Sequence, residues 1–137
     1  MSAVYLNTGR ISDLDTLIAN ATYEVRLYQN NFTPLVGSVL GDFTVATFSG
    51  YAAQAPTFGA AAIDGNGNAK ADASALSFTH NGGGTANSIY GWYMVDTGTG
   101  VVCQAERFAA APLSFAVSGD DVTVTPHLYG GPVTPPL

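Results

Sequence analysis

The chain has 137 residues and a mass of 14.1 kDa, the size of one ordinary domain with enough surface to bury a core unaided. Charged residues make up only 10% of it, and 4 Lys and Arg against 10 Asp and Glu leave a formal net charge of −6. That balance excludes disorder driven by charge, phosphate-based nucleic-acid binding and adhesion to an anionic membrane, all of which need more charge or clustered cations.

At the N-terminus, residues 1–10 show no basic stretch followed by an apolar one, so no signal peptide is read there, and no apolar run reaches a membrane span. Residues 1–9 read as an extended arm whose apolar positions Val4, Tyr5 and Leu6 suit strand addition to a neighbour. Ser12 then predicts the cap of a short helix holding Leu14, Leu17 and Ile18, with Asp13 and Asp15 near its positive end.

From Thr22 onward the pattern is that of strands. Tyr23, Val25 and Leu27 alternate with Glu24, Arg26 and Tyr28, a half-buried strand. Turn formers recur at Gln29-Asn30-Asn31, Asp64-Gly65-Asn66-Gly67-Asn68, Asn81-Gly82-Gly83-Gly84, Asp96-Thr97-Gly98-Thr99-Gly100 and Ser118-Gly119-Asp120-Asp121. A second helical turn is predicted from Asp42, ahead of Phe43, Val45 and Ala46. Ala71 and Ala73, then Leu76 and Phe78, predict one long strand with a bulge near Ser74-Ala75.

Residues 89–95 are apolar on both faces, which predicts a central strand, and Gly91 leaves room there for a large ring from the strand beside it. Leu113, Phe115 and Val117, and later Val122 and Val124, alternate again. The tail 126–137 contains Pro126, Pro132, Pro135 and Pro136 and cannot be a central strand; it reads as either a disordered end or an extended arm that docks elsewhere. The fold class that follows is a single all-β domain over 1–137. We expect an antiparallel two-sheet sandwich of jelly-roll type with about eight or nine strands and at most one short N-terminal helix.

Chemistry-bearing residues are sparse. Asp64, Asn66 and Asn68 sit like the first ligands of a calcium loop, but Ala69 stands where the glycine is needed and Ala75 where the bidentate glutamate is needed, so a tight hairpin loop is read. His80 before the glycine run is similar to an oxyanion loop, yet no G-x-S-x-G elbow accompanies it. Two histidines make no zinc site. Cys103, the one cysteine, reads as a small buried hydrophobe. Asp96 with Glu106 is the carboxylate pair a small hydrolase would use. Asn20-Ala21-Thr22 matches a glycosylation sequon, accidental without a signal peptide. The reading is of a protein that is not an enzyme and takes no cofactor and no metal.

Three stretches carry a resemblance: "TYEVRLYQNNFTP" with "GDFTVATFSGYA" over Thr22 to Ala53, "SIYGWYMVDTGTGVVCQAERFAAAP" over Ser88 to Pro112, and "GDDVTVTPHL" over Gly119 to Leu128. Together they resemble the small β-sandwich head decoration, or cement, proteins of tailed bacteriophages. The resemblance implies a structural virion protein that stabilises the phage head by bridging capsid subunits. It also implies a protein made in the host cytoplasm, seated on the capsid surface, with the major capsid protein as partner. No catalytic residue carries over. Low charge and the two-sided aromatic strand add an expected homo-oligomer, a trimer being one arrangement, and an interface drawn from Val4, Tyr5, Leu6, Tyr90, Trp92, Pro132, Val133, Pro135 and Leu137. The alternatives are a tail or fibre adaptor of the virion and a carbohydrate-binding module that stacks sugars on Tyr90 or Trp92.

Overall fold

The computed structural model describes residues 3–130. In chain order they form helix α1 (Asn7–Asn20), strand β1 (Tyr23–Tyr28), a 3₁₀ turn (Leu40–Asp42), β2 (Ala62–Ile63), β3 (Ala69–Asp72), β4 (Leu76–Thr79), β5 (Asn87–Ile89), β6 (Gly91–Asp96), β7 (Val101–Arg107), β8 (Leu113–Phe115), β9 (Asp121–Val124) and β10 (His127–Tyr129). Every strand pairing is antiparallel. The described chain is thus mostly β with one helix, as the alternating patterns predict. The sheets run β1-β6-β7, β10-β3-β2, β4-β9 and β5-β8.

These elements fall into two compact units interleaved in sequence. One takes the described residues up to Ala21, Thr57–Ser74 and those from Thr125 onward; the other takes Thr22–Pro56 and Ala75–Val124.

In the first unit, α1 packs on β3, which lies between β10 and β2. Its buried apolar residues are Leu14, Ala61, Ala69, Ala71, Ala73 and Leu128. The small side chains let helix and sheet approach closely. The helix starts five residues before the expected cap, so Ser12 lies inside it, and Asp13 and Asp15 are not in its first turn. Tertiary anchoring overrides the capping signal. Arg10, buried in the first turns, donates from Nη1 to Asn7 Oδ1 (3.0 Å) and to the Gly67 carbonyl (2.9 Å). Asp15 accepts the Ala61 N–H at 2.8 Å instead of serving the helix end. The arm expected over 126–137 begins as an edge strand, His127 facing Asp72 and Tyr129 facing Lys70. An edge position tolerates the flanking Pro126.

The second unit is built on β6, flanked by β1 and β7 and buried at five of its six residues. The predicted inward residues Tyr23, Val25 and Leu27 of β1 are buried, and Tyr28 joins them. The long strand expected over Ala71 to Phe78 is two strands, β3 and β4, that pair in different sheets, so the phase slip at Ser74-Ala75 is a break rather than a bulge. This raises the count to ten strands among the described residues. The bulge is elsewhere. Met94 faces Gln104 while Val95 faces Val102, which leaves Cys103 as the extra residue. The helical turn expected from Asp42 ends there, because Phe43 is already extended.

Candidate docking surface

The site grows from an aromatic cluster. Tyr28, Phe43 and Tyr93 are buried together, with Phe43 stacked on Tyr93 at 4.5 Å and edge-on to Tyr28 at 5.2 Å. Tyr28 reaches across β6 because Gly91 has no side chain; a Cβ there would lie 2.6 Å from the phenol ring. The Tyr28 hydroxyl donates to the Phe32 carbonyl at 3.0 Å, and Arg107 Nη1 donates to Asn31 Oδ1 (2.9 Å) and to the same carbonyl (3.2 Å). These bonds fix the start of the loop that follows β1.

The loop then turns back on itself. The Leu35 N–H donates to Ser38 Oγ at 2.8 Å, the Ser38 N–H donates to the Leu35 carbonyl at 3.0 Å, and the Val39 N–H donates to Asp42 Oδ2 at 2.9 Å. A turn held this way points its apolar residues outward. Leu35 is 74% exposed, Val36 is fully exposed, and Val39 and Val101 are exposed as well. Between this loop and β7 runs an open groove of about 840 Å³ lined by Pro34, Leu35, Val36, Phe43, Val102 and Ala105 among others. Among the described residues no charged one lines it. An exposed apolar surface of this kind is suited to covering by another protein.

The sequence-derived interface residues do not converge on it. Val4 and Leu6 are exposed and Tyr5 half-buried ahead of α1, in the first unit. Tyr90 is half-buried, and the Arg107 guanidinium lies over its ring at 5.1 Å. Trp92 is only 5% exposed, which corrects its assignment both as an interface ring and as a sugar-stacking platform: its surface is spent on the chain's own packing. Pro132, Val133, Pro135 and Leu137 lie outside the described residues. Leu35, Val36 and Val39 were not read as surface. The available signal was an apolar run broken by Pro34, Gly37 and Ser38, since turn formers expose the apolar residues between them.

The residues weighed for chemistry serve the backbone. Asp64 Oδ1 accepts the N–H groups of Asn66 and Asn68, both at 2.9 Å, and closes the β2–β3 hairpin. Those bonds hold its carboxyl below the usual range. His80 is 1% exposed and stacks on Phe48; its Nδ1 accepts the Gly82 N–H and its Nε2 meets the Thr85 carbonyl, each at 2.9 Å. The Gly83 N–H donates to Asn81 Oδ1, so these loop amides are spoken for and not gathered round an anion. Among the described residues no three His, Cys, Asp or Glu side chains are grouped to hold a metal ion.

Cys103 is exposed, not the buried hydrophobe expected, because the bulge turns it out of the ladder. Its thiol points back to the Met94 carbonyl at 3.5 Å, and desolvation there, with the Asp96 carboxylate second, pushes its pKa up. A thiol moved in that direction holds less thiolate. Asp96 faces Val101 and Glu106 faces Trp92, four residues apart along β6, or roughly 13 Å at the strand rise. No helix among the described residues is long and apolar enough to cross a membrane. No protein-family model, no curated protein and no solved structure matches the chain.

Proposed function

We propose that the protein is a structural component of a tailed-phage virion: a head decoration protein that acts by docking on the major capsid protein at the capsid surface, not by catalysis. In this reading its antiparallel sheets are the parts of a jelly-roll sandwich. The observation that carries it is the uncharged groove beside β7, rimmed by exposed Leu35 and Val36. A docking protein needs such a surface, and a chain with 10% charged residues has the composition of an interface spread over much of its exterior. Bridging several capsid subunits at once would let modest contacts add up to firm attachment.

Cryo-electron microscopy of purified particles tests the reading. Density for the chain on the head, at the joints between capsid subunits, is the expected result. Density on the tail would move the protein to an adaptor role, and its absence from particles would end the virion reading.

A further inference from the structure

We propose that β7 is a self-association edge, and that its occupant is β7 of a second copy, paired antiparallel about a two-fold axis through Ala105. The parity of the ladder comes first. Val25 exchanges backbone hydrogen bonds with Gln54 at 2.7 and 3.1 Å, and the Leu27 carbonyl accepts from the Ala46 N–H at 2.9 Å, so these residues of β1 face away from β6. Glu24, Arg26 and Tyr28 therefore bond to β6, at Val95, Tyr93 and Gly91. Trp92 and Met94 are left to bond to β7, at Glu106 and Gln104. The Phe108 N–H donating to the Tyr90 carbonyl at 2.9 Å continues the same alternation. Ala105 and Arg107 thus turn their N–H and C=O groups outward, and no described residue bonds to them.

The sheet is therefore closed on one side and open on the other. Residues 44–54 cover the β1 edge, while the β7 edge is bare. An open edge is a template on which another extended strand can add. The bulge at Cys103 interrupts that edge and leaves Gln104 to Arg107 as its regular stretch. Two residues there can sit on a two-fold axis with outward amides. Centring on Arg107 would oppose two guanidinium ions. Centring on Ala105 brings two small side chains together on the groove face, and sets Gln104 of each copy against Glu106 of the other, so no like charges meet. Gln104 Oε1 is buried with no hydrogen-bond partner among the described residues. The donor to the Glu106 carboxylate of the second copy is the Nε2 of the same amide, while that oxygen stays inside. The paired sheets would run continuously through six strands, with the two apolar grooves side by side on one face.

The pairing needs no capsid and is tested on the full chain alone. Light scattering should give a mass near twice 14.1 kDa at high concentration, with the dimer strengthened by salt because each copy carries −6. On a Cys103→Ser background, Ala105→Cys should form a covalent dimer under mild oxidation, since directly paired Cα atoms lie about 5.5 Å apart. Val101→Cys on the same background should not, its counterpart being roughly 26 Å away along the strands. Gln104→Glu should weaken the dimer about tenfold or more, and Glu106→Lys added to it should restore it. A mass that stays at 14.1 kDa up to ~1 mM overturns the proposal. So does cross-linking at Val101 as ready as at Ala105. If Gln104→Glu does not fold, the disulfide pair decides. A monomer that nonetheless decorates phage heads would refute the pairing and leave the virion reading intact.

Discussion

The phenol of Tyr28 occupies the space that a side chain on Gly91 would need. The two face each other directly across the β1–β6 ladder, and the missing Cβ is what admits the ring. Gly91→Ala would drive a methyl group into Tyr28 and into the Glu106 carbonyl. We expect a loss of about 2–4 kcal/mol of stability in urea unfolding, at the upper end of overpacking costs because one of the two neighbours is backbone. A variant as stable as the parent would show that the β1–β6–β7 sheet can shift to make room.

His80 is used at both ring nitrogens. His80→Phe keeps a ring over Phe48 but strands the Gly82 N–H and takes one of two partners from the Thr85 carbonyl, which keeps the Ser49 N–H at 2.9 Å. Each loss of a buried partner costs about 1–3 kcal/mol, so a drop of about 2–4 kcal/mol is expected, with faster amide exchange at Gly82. Unchanged exchange there would mean that the loop is held by Ser49 and Asn81 alone.

Alkaline conditions should loosen the second unit. The Tyr51 hydroxyl accepts the Leu27 N–H at 3.3 Å, and burial pushes its pKa up to about 12. Burial also raises Tyr28 and Tyr93. A group raised on folding contributes stability that is full below its unfolded value of 10.0 and is lost as pH rises through the folded one. Urea midpoints should therefore fall between about pH 10 and pH 12, and the fall should be smaller in Tyr51→Phe. Equal slopes for the two proteins would count against the assignment.

The acid limb has the opposite sign. Asp120 Oδ2 accepts the N–H groups of Ala116 (2.8 Å) and Val117 (2.9 Å), and these bonds lower its pKa. Asp64 is lowered in the same way by Asn68 and Asn66. Their contribution is present above the ordinary value of 3.8 and is lost as pH falls through the depressed one. Asp120→Asn should flatten the decline in thermal midpoint on going from about pH 5 to pH 2.5. A decline as steep as the parent's would place the sensitivity elsewhere.

Leu35→Ser combined with Val36→Ser removes apolar surface that is mostly exposed, Leu35 at 74% and Val36 fully. Thermal stability should change by no more than about 0.5 kcal/mol, while attachment to phage heads in a sedimentation assay should be lost. Full attachment would show that the groove is not the docking surface.

Alternation made the strands legible. Tyr23, Val25 and Leu27 are buried as their spacing predicts, and the apolar run 89–95 forms the central strand with Gly91 as the gap for a ring. Features set by distant partners were not legible. Arg10 is held by Gly67, 57 residues away, and that anchor moves the helix start to Asn7 past a good capping residue. Ala71 to Phe78 reads as continuous because local pattern cannot tell that β3 answers to β10 while β4 answers to β9. The apolar groove escaped for a related reason. Whether Leu35 and Val36 face solvent depends on hydrogen bonds to Ser38 and on Arg107, 72 positions after Leu35, neither of which periodicity records.

The interleaving of the two units sets an order of assembly. All strands of the second unit lie between Tyr23 and Val124, whereas β3 gains its β10 neighbour only from His127 to Tyr129. During synthesis β3 therefore keeps one flank unoccupied until those strand residues emerge from the ribosome. Chains cut short ahead of Pro126 would carry every strand of the second unit and lack the β10 flank of β3.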